Sequence, residues 1–149
     1  MNSLQILLAL FACSFLPLHA ASVSDLTYST TGGRVTITDC DEDANGELVI
    51  PNTIEGKPIT SIGFGAFYLC TSLTNITIST SVTSIEGGAF SGCISLTSLT
   101  IPDGLTSIGS NAFGSCTSLT SITIPDSVTT IGDRAFFSCS SLTSFTIPE

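Results

Sequence analysis

The sequence is poor both in residues that carry chemistry and in those that anchor tight interfaces. Its 149 residues include no tryptophan, one methionine, two tyrosines and a single histidine, His19. Lysine and arginine number 3 against 12 aspartates and glutamates, for a net charge of −9. Arg34, Lys57 and Arg134 cannot form the cationic stripe that a phosphate backbone demands, which argues against nucleic acid as a partner. The same shortage argues against an anionic membrane surface. The excess negative charge favours solubility and mutual repulsion and says little about fold.

Long apolar runs are equally scarce. The one present, Leu4 to Leu18, has about the length of a signal-peptide core and is short for a membrane span. Small residues follow at Ala20, Ala21 and Ser22, so residues 1–20 read as an export signal cleaved after Ala20. The run Leu10-Phe11-Ala12-Cys13 offers a lipobox-like alternative, and a buried N-terminal helix is the third reading. Cleavage would remove His19 and leave no histidine or methionine. A Ser-His-Asp triad, a Cys-His dyad and a His-ligated zinc would then be impossible within the chain. The expectation is a non-catalytic protein without a cofactor and without a membrane span after cleavage.

What is present in abundance is repetition. Self-comparison gives a period of 23 residues, seen in Ile78, Ile101, Ile124 and Ile147, and in Ile62, Ile85, Ile108 and Ile131. Phe67, Phe90, Phe113 and Phe136 form a further column, as do Leu73, Leu96, Leu119 and Leu142, and Cys70, Cys93, Cys116 and Cys139. One insertion breaks the pattern: Ile50 to Ile62 spans 12 residues where Ile78 to Ile85 spans 7. The extra residues lie around Glu55-Gly56-Lys57-Pro58, a turn-rich bulge.

Each coil can be read from its punctuation. Leu119 to Ile124 has apolar residues two apart at its end and predicts a short strand. Pro125-Asp126 turns the chain, and Val128 to Ile131 is a second extended piece stopped by Gly132. Ala135 to Cys139 reads as a helical or 3-10 turn, too short to be stable alone. No coil can bury its own Ile, Phe and Leu, whereas stacked coils make each apolar column continuous. About four coils are expected over residues 51–149, after an entry unit at residues 21–50.

The core L-x-x-I-x-I-P, followed by V-T-x-I-G-x-x-A-F-x-x-C, resembles the BspA-like class of leucine-rich repeat. The stretch GGRVTITDCDEDANGELVIP followed by EGKPITSIG resembles the usual entry segment of such domains. The resemblance implies an α/β repeat: a right-handed solenoid with one short parallel strand per coil. It also implies a secreted or cell-surface protein used in adhesion or protein binding.

Three sets of residues are candidates for more than architecture. Four equivalent cysteines at a coil spacing of about 4.8 Å would span about 14 Å, so one tetrahedral zinc cannot collect them all. Packing as small apolar plugs, disulfides between neighbouring rungs, and a metal held by two adjacent thiols all remain open. Cys40 stands outside this thiol ladder.

The second set is acidic. Asp41, Asp43, Asn45 and Gly46 match the first half of a calcium loop, with Glu47 adjacent, but the closing glutamate position holds Asn52. The competing reading is a hairpin tip between Arg34–Thr38 and Glu47–Ile50, turned by Asn45-Gly46. A calcium-dependent module is therefore an alternative function, as is a repeat fragment of a larger exported, hydrolytic protein.

The third set lies on the strands. Thr77, Thr100, Thr123 and Thr146 should align on the face opposite the core, with Asn75, Ser98, Ser121 and Ser144 two residues before them. The lattice suits either a solvated strand face or a contact surface for a protein or glycan. A four-rung face of roughly 200–250 Å² is small beside a standard interface of about 800 Å² per partner, so weak, avidity-dependent contacts are expected. Asn75-Ile76-Thr77 is also a glycosylation sequon, on a strand rather than a loop.

The ends differ. Leu26–Thr30 and Arg34–Thr38, joined at Thr31-Gly32-Gly33, read as a capping hairpin. Phe145 to Glu149 is the strand of a coil that nothing follows. The chain therefore reads as a fragment of a longer array, or as one whose uncapped last coil associates end to end with another subunit.

Overall fold

The computed structural model describes residues 19–146. The leader reading falls almost wholly outside this span, as do Ile147 to Glu149. A cut after Ala20 would fall at the end of the first described strand, β1 (His19–Ala20).

The chain is a parallel β-solenoid of about five turns with almost no helix, one turn more than the columns suggested. Two walls of short strands run along it. On one wall lie β4 (Ala44–Val49), β7 (Leu73–Thr77), β9 (Ser98–Thr100), β11 (Ser121–Thr123) and β13 (Ser144–Thr146). On the other lie β6 (Lys57–Ile62), β8 (Ser84–Ile85), β10 (Ser107–Ile108) and β12 (Thr130–Ile131). Register keeps the repeat: Ile76 pairs with Leu99, Ile122 with Phe145, and Ile62 with Ile85.

At the entry, β2 (Leu26–Thr31) and β3 (Arg34–Cys40) form an antiparallel pair turned by Gly32-Gly33, both at positive φ. β3 then pairs in parallel with β6 and joins the second wall. The expected second hairpin is not formed. β4 crosses to the first wall and pairs with β1 and β7. Asn45-Gly46 therefore sits inside a strand, with the register shifting between Gly46 and Glu47. Gly46, at φ 79°, supplies a bulge rather than a turn. Neighbouring strands override the local turn signal. The inserted Thr53–Ile54 (β5) folds back on β6 as a small antiparallel tab.

The third side of each coil was expected to be helical or 3-10; it is a run of hydrogen-bonded turns with no continuous helix. The one 3-10 turn among the described residues is Val23–Asp25, outside the repeats. Two columns of left-handed residues interrupt every coil. One is Gly65, Gly88, Asn111 and Arg134; the other is Leu69, Gly92, Ser115 and Ser138. A left-handed residue ends a right-handed turn. The gain is inter-coil hydrogen bonding: Gly65 N–H donates to Gly87 O (3.1 Å), Phe67 to Ala89 (2.7 Å) and Leu69 to Ser91 (3.0 Å). The same triplet recurs one coil on, from Gly88, Phe90 and Gly92 to Ser110, Ala112 and Gly114. Alternate backbone amides are thus satisfied along the stack, while those between them bond back along the chain, as Tyr68 N–H does to Gly65 O at 2.8 Å.

The core is the set of columns. Phe67, Phe90 and Phe113 are fully buried, and each ring stacks on the next at 4.9, 5.3 and 5.2 Å, the last on Phe136. Phe145 closes the row edge-on to Phe136 at 5.0 Å. Hydroxyls reinforce the stacking. Thr83, Thr106 and Thr129 each donate Oγ1 to the carbonyl of the threonine one coil earlier, at 3.2, 2.9 and 3.2 Å.

Candidate functional site

The strand wall brings most of the expected hydroxyls together. Asn75 pairs with Ser98 and Thr77 with Thr100; Ser121 pairs with Ser144 and Thr123 with Thr146. Ser98, Thr100, Ser121, Thr123, Ser144 and Thr146 are exposed, whereas Asn75 and Thr77 are half-buried. The wall is not continuous. The ladder β1-β4-β7-β9 stops at β9, and β11-β13 forms a separate two-stranded ladder.

Two hollows lie at and beside this seam. The first, about 280 Å³, is lined by Ser98, Thr100, Asp103, Ser121 and Thr123 over a floor that includes Ile101 and Pro125. The second, about 460 Å³, shares Asp103, Thr123 and Pro125 and adds Asp126, Ser127 and Thr146. Five of the eight expected face residues line these hollows; Asn75, Thr77 and Ser144 do not. Asp103 and Asp126 were not foreseen, although their repeated Ile-Pro-Asp context was visible in the sequence. Both carboxylates add acceptors to a field of hydroxyls that both donate and accept.

Asn75 is placed differently. Its Oδ1 is buried in β7 without a hydrogen-bond partner. The sequon asparagine thus lies on a strand, as its sequence position suggested.

The calcium constellation does not assemble. Asp41 Oδ1 accepts the Asp43 N–H at 2.9 Å, a local turn at the corner between the walls. Asn45 and Glu47 belong instead to β4, where the carbonyl of Asn45 accepts from Ala21 and Glu47 pairs opposite Asn75. Among the described residues, no group of three or more His, Cys, Asp or Glu side chains could hold a metal ion.

The thiol ladder is buried within the stack. Cys70, Cys93 and Cys116 are fully buried and Cys139 partly so. Cys93, Cys116 and Cys139 each point their S–H at the carbonyl of the phenylalanine 26 residues upstream, at 3.1, 3.2 and 3.0 Å. Burial, then the facing Cys139, pushes the Cys116 thiol up to about 12. Burial, then neighbouring Cys116 and Cys70, raises Cys93 further still. A nucleophile needs the opposite shift and access to solvent.

The opposite side carries exposed apolar groups the columns did not reveal. Phe64 is 79% exposed, Tyr68 55% and Phe137 57%, with the Arg134 guanidinium 5.8 Å over the Phe137 ring.

Comparison with known proteins agrees with this geometry. Residues 47–149 match the BspA type leucine rich repeat region in 6 copies, and the chain belongs to that family. No curated protein sequence matches it. A leucine-rich repeat protein of Bacteroides capillosus is 33% identical over 87% of this chain and 98% of its own, with a TM-score of 0.74. One from T. pallidum is 29% identical over 87% of this chain and 72% of its own, with a TM-score of 0.67. A leucine rich cell surface protein of Faecalibacterium prausnitzii, 22% identical, shares the fold at a TM-score of 0.71. This chain covers 83% of itself but 38% of that protein. Repeat proteins of this class are generally non-enzymatic scaffolds. Among the described residues, no helix is long and apolar enough to cross a membrane.

Proposed function

We propose that the chain is a binding module of an exported or cell-surface protein, which contacts a protein or glycan through the β9–β13 hydroxyl wall. The observation that carries this reading is the pair of hollows where Ser98, Thr100, Ser121 and Thr123 converge with Asp103 and Asp126. Hydroxyls and carboxylates at rung spacing suit a ligand rich in hydrogen-bonding groups, and the apolar floor gives it a surface to rest on. The wall is small and lacks Trp, Tyr and Arg, so a single contact is weak and useful strength comes from many copies acting together. The hairpin β2-β3 serves as the entry cap in this reading, because it covers the first coil of the second wall.

Localisation at the surface rests on the leader-like N-terminus and on the likeness to the cell surface protein of Faecalibacterium prausnitzii. A calcium-dependent module is the weaker alternative, since Asp41 is engaged with its own turn and Asn45 is tied into β4.

The test is a tetramerised form of the chain screened on immobilised matrix proteins and glycans. Thr100→Arg with Thr123→Arg should abolish any signal seen, and Asp103→Ala should weaken it several-fold. Tyr68→Arg, on the far side, should leave it intact. Loss with Tyr68→Arg alone would move the binding surface to the turn side and defeat the proposal.

A further inference from the structure

The thiols of Cys93, Cys116 and Cys139 are engaged, but the two at the entry are not engaged in the same way. Cys70 has no upstream phenylalanine in register. Its S–H instead faces the carbonyl of Cys40, at 3.8 Å against 3.0–3.2 Å for the three that follow. Cys40 therefore stands, at the end of β3, where the later coils place a phenylalanine. The Cys40 S–H has the carbonyl of Asp41 at 3.7 Å and the Cys70 thiol beside it. Both residues are buried, at 3% and 0% exposure, with their side chains in contact. Contact with Cys70, then burial, drives the Cys40 thiol far above its ordinary range.

We infer that Cys40 and Cys70 are a disulfide-forming pair that ties the entry strand β3 to the first coil, while Cys93, Cys116 and Cys139 remain thiols. Three facts separate this pair from the ladder. The Cys70 sulfur lies 3.8 Å from the Cys40 carbonyl oxygen, and the Cys40 and Cys70 side chains are neighbours. They come from different local structures, a strand end and a coil turn, and Cys40 stands outside the 23-residue ladder. Neither gives up a short hydrogen bond on oxidation, whereas each later cysteine would.

The reaction is thiol–disulfide exchange with a small-molecule disulfide such as oxidised glutathione. One cysteine, as thiolate, attacks a glutathione sulfur; that S–S bond breaks, and glutathione thiolate leaves and takes up a proton. The second cysteine, deprotonated in turn, attacks the mixed disulfide. The Cys40–Cys70 bond forms and a second reduced glutathione departs. Both sulfurs are buried in the folded chain, so exchange takes place during folding or on opening of the entry hairpin. An oxidising compartment suits the bridge, in keeping with export, but the inference rests on the thiol geometry alone.

The experiment refolds the full chain in a mixture of reduced and oxidised glutathione, blocks free thiols with iodoacetamide and maps the peptides. The expected result is one linked pair, Cys40 with Cys70, and alkylated Cys13, Cys93, Cys116 and Cys139. Adding reductant to the oxidised protein should lower Tm by about 10 °C. Cys40→Ser and Cys70→Ser should remove that reductant dependence, and Cys93→Ser should retain it. The map of the unmutated chain decides the matter even if a variant fails to fold. Complete alkylation of Cys40 and Cys70, or a linkage involving Cys93, Cys116 or Cys139, would overturn the inference.

Discussion

At the scale of single residues, two backbone positions per coil decide whether coils can approach. Gly109 lies against Gly87 and Glu86 of the preceding coil; a Cβ there would meet the Glu86 carbonyl oxygen at 2.9 Å and overlap the Gly87 amide. Gly109→Ala should therefore cost about 1–3 kcal/mol, read from urea midpoints. Glu86 stands in the same column and is tolerated for a visible reason. Its carboxylate folds back to accept the Ser61 hydroxyl and the Phe64 N–H, both at 3.1 Å, which alanine could not do. Ser115 gives the opposite expectation. It is held at φ 58°, in a column where Gly92 meets the same demand. Ser115→Gly should relieve that strain and leave a net gain of about 0.5 kcal/mol after the entropy cost of a freer unfolded chain. These left-handed columns were hidden in the sequence because Gly, Asn, Arg, Leu and Ser share them. Cross-coil hydrogen bonding sets the conformation, and each residue type bears the strain as it can.

At the scale of the structural element, the stacked phenylalanines and the strand walls were legible, since a fixed period names the residues that meet. Removal of a central ring should be costly: Phe90→Ala leaves Phe67 and Phe113 without their shared neighbour and should lose about 3–5 kcal/mol. A smaller loss in thermal or urea unfolding would mean that the coils close over the gap. The turn at Ala135 to Cys139 was less legible. Its length and spacing fit one turn of helix, but Arg134 and Ser138 are left-handed, and Phe113 N–H reaches across to the Ala135 carbonyl. Local propensity loses wherever a neighbouring coil offers the backbone a better partner. The same competition explains Asn45-Gly46, a turn signal absorbed into β4. The candidate site was half legible. Thr100 and Thr123 follow from strand alternation, but the role of Asp103 depends on the seam between β9 and β11, and no periodic pattern encodes an interruption.

At the scale of the whole molecule, the buried thiols make stability depend on alkaline pH. An unfolded cysteine ionises near its ordinary 9.0, whereas Cys116 in the fold ionises near 12. Between those values the unfolded chain holds fewer protons, so stability falls as pH rises; below about 9 these groups contribute no pH dependence. Cys93 acts in the same sense. Urea midpoints should therefore be flat through neutrality and fall above pH 9, and Cys116→Ala should make that fall shallower. A midpoint indifferent to pH up to 11 would mean that the thiols are not desolvated as the stack requires.

Hydrogen bonds and ring contacts in the repeats join residues about one coil apart, as in Thr106 to Thr83 or Phe90 to Phe113. The backbone bonds on every wall lie along the long axis, so tension applied between the two ends loads them in series rather than together. Held in an optical trap, the chain should yield in small successive steps, each releasing a 23-residue coil and about 7 nm of slack. Such a tether absorbs a pull gradually, a useful property for anything that must hold a moving surface.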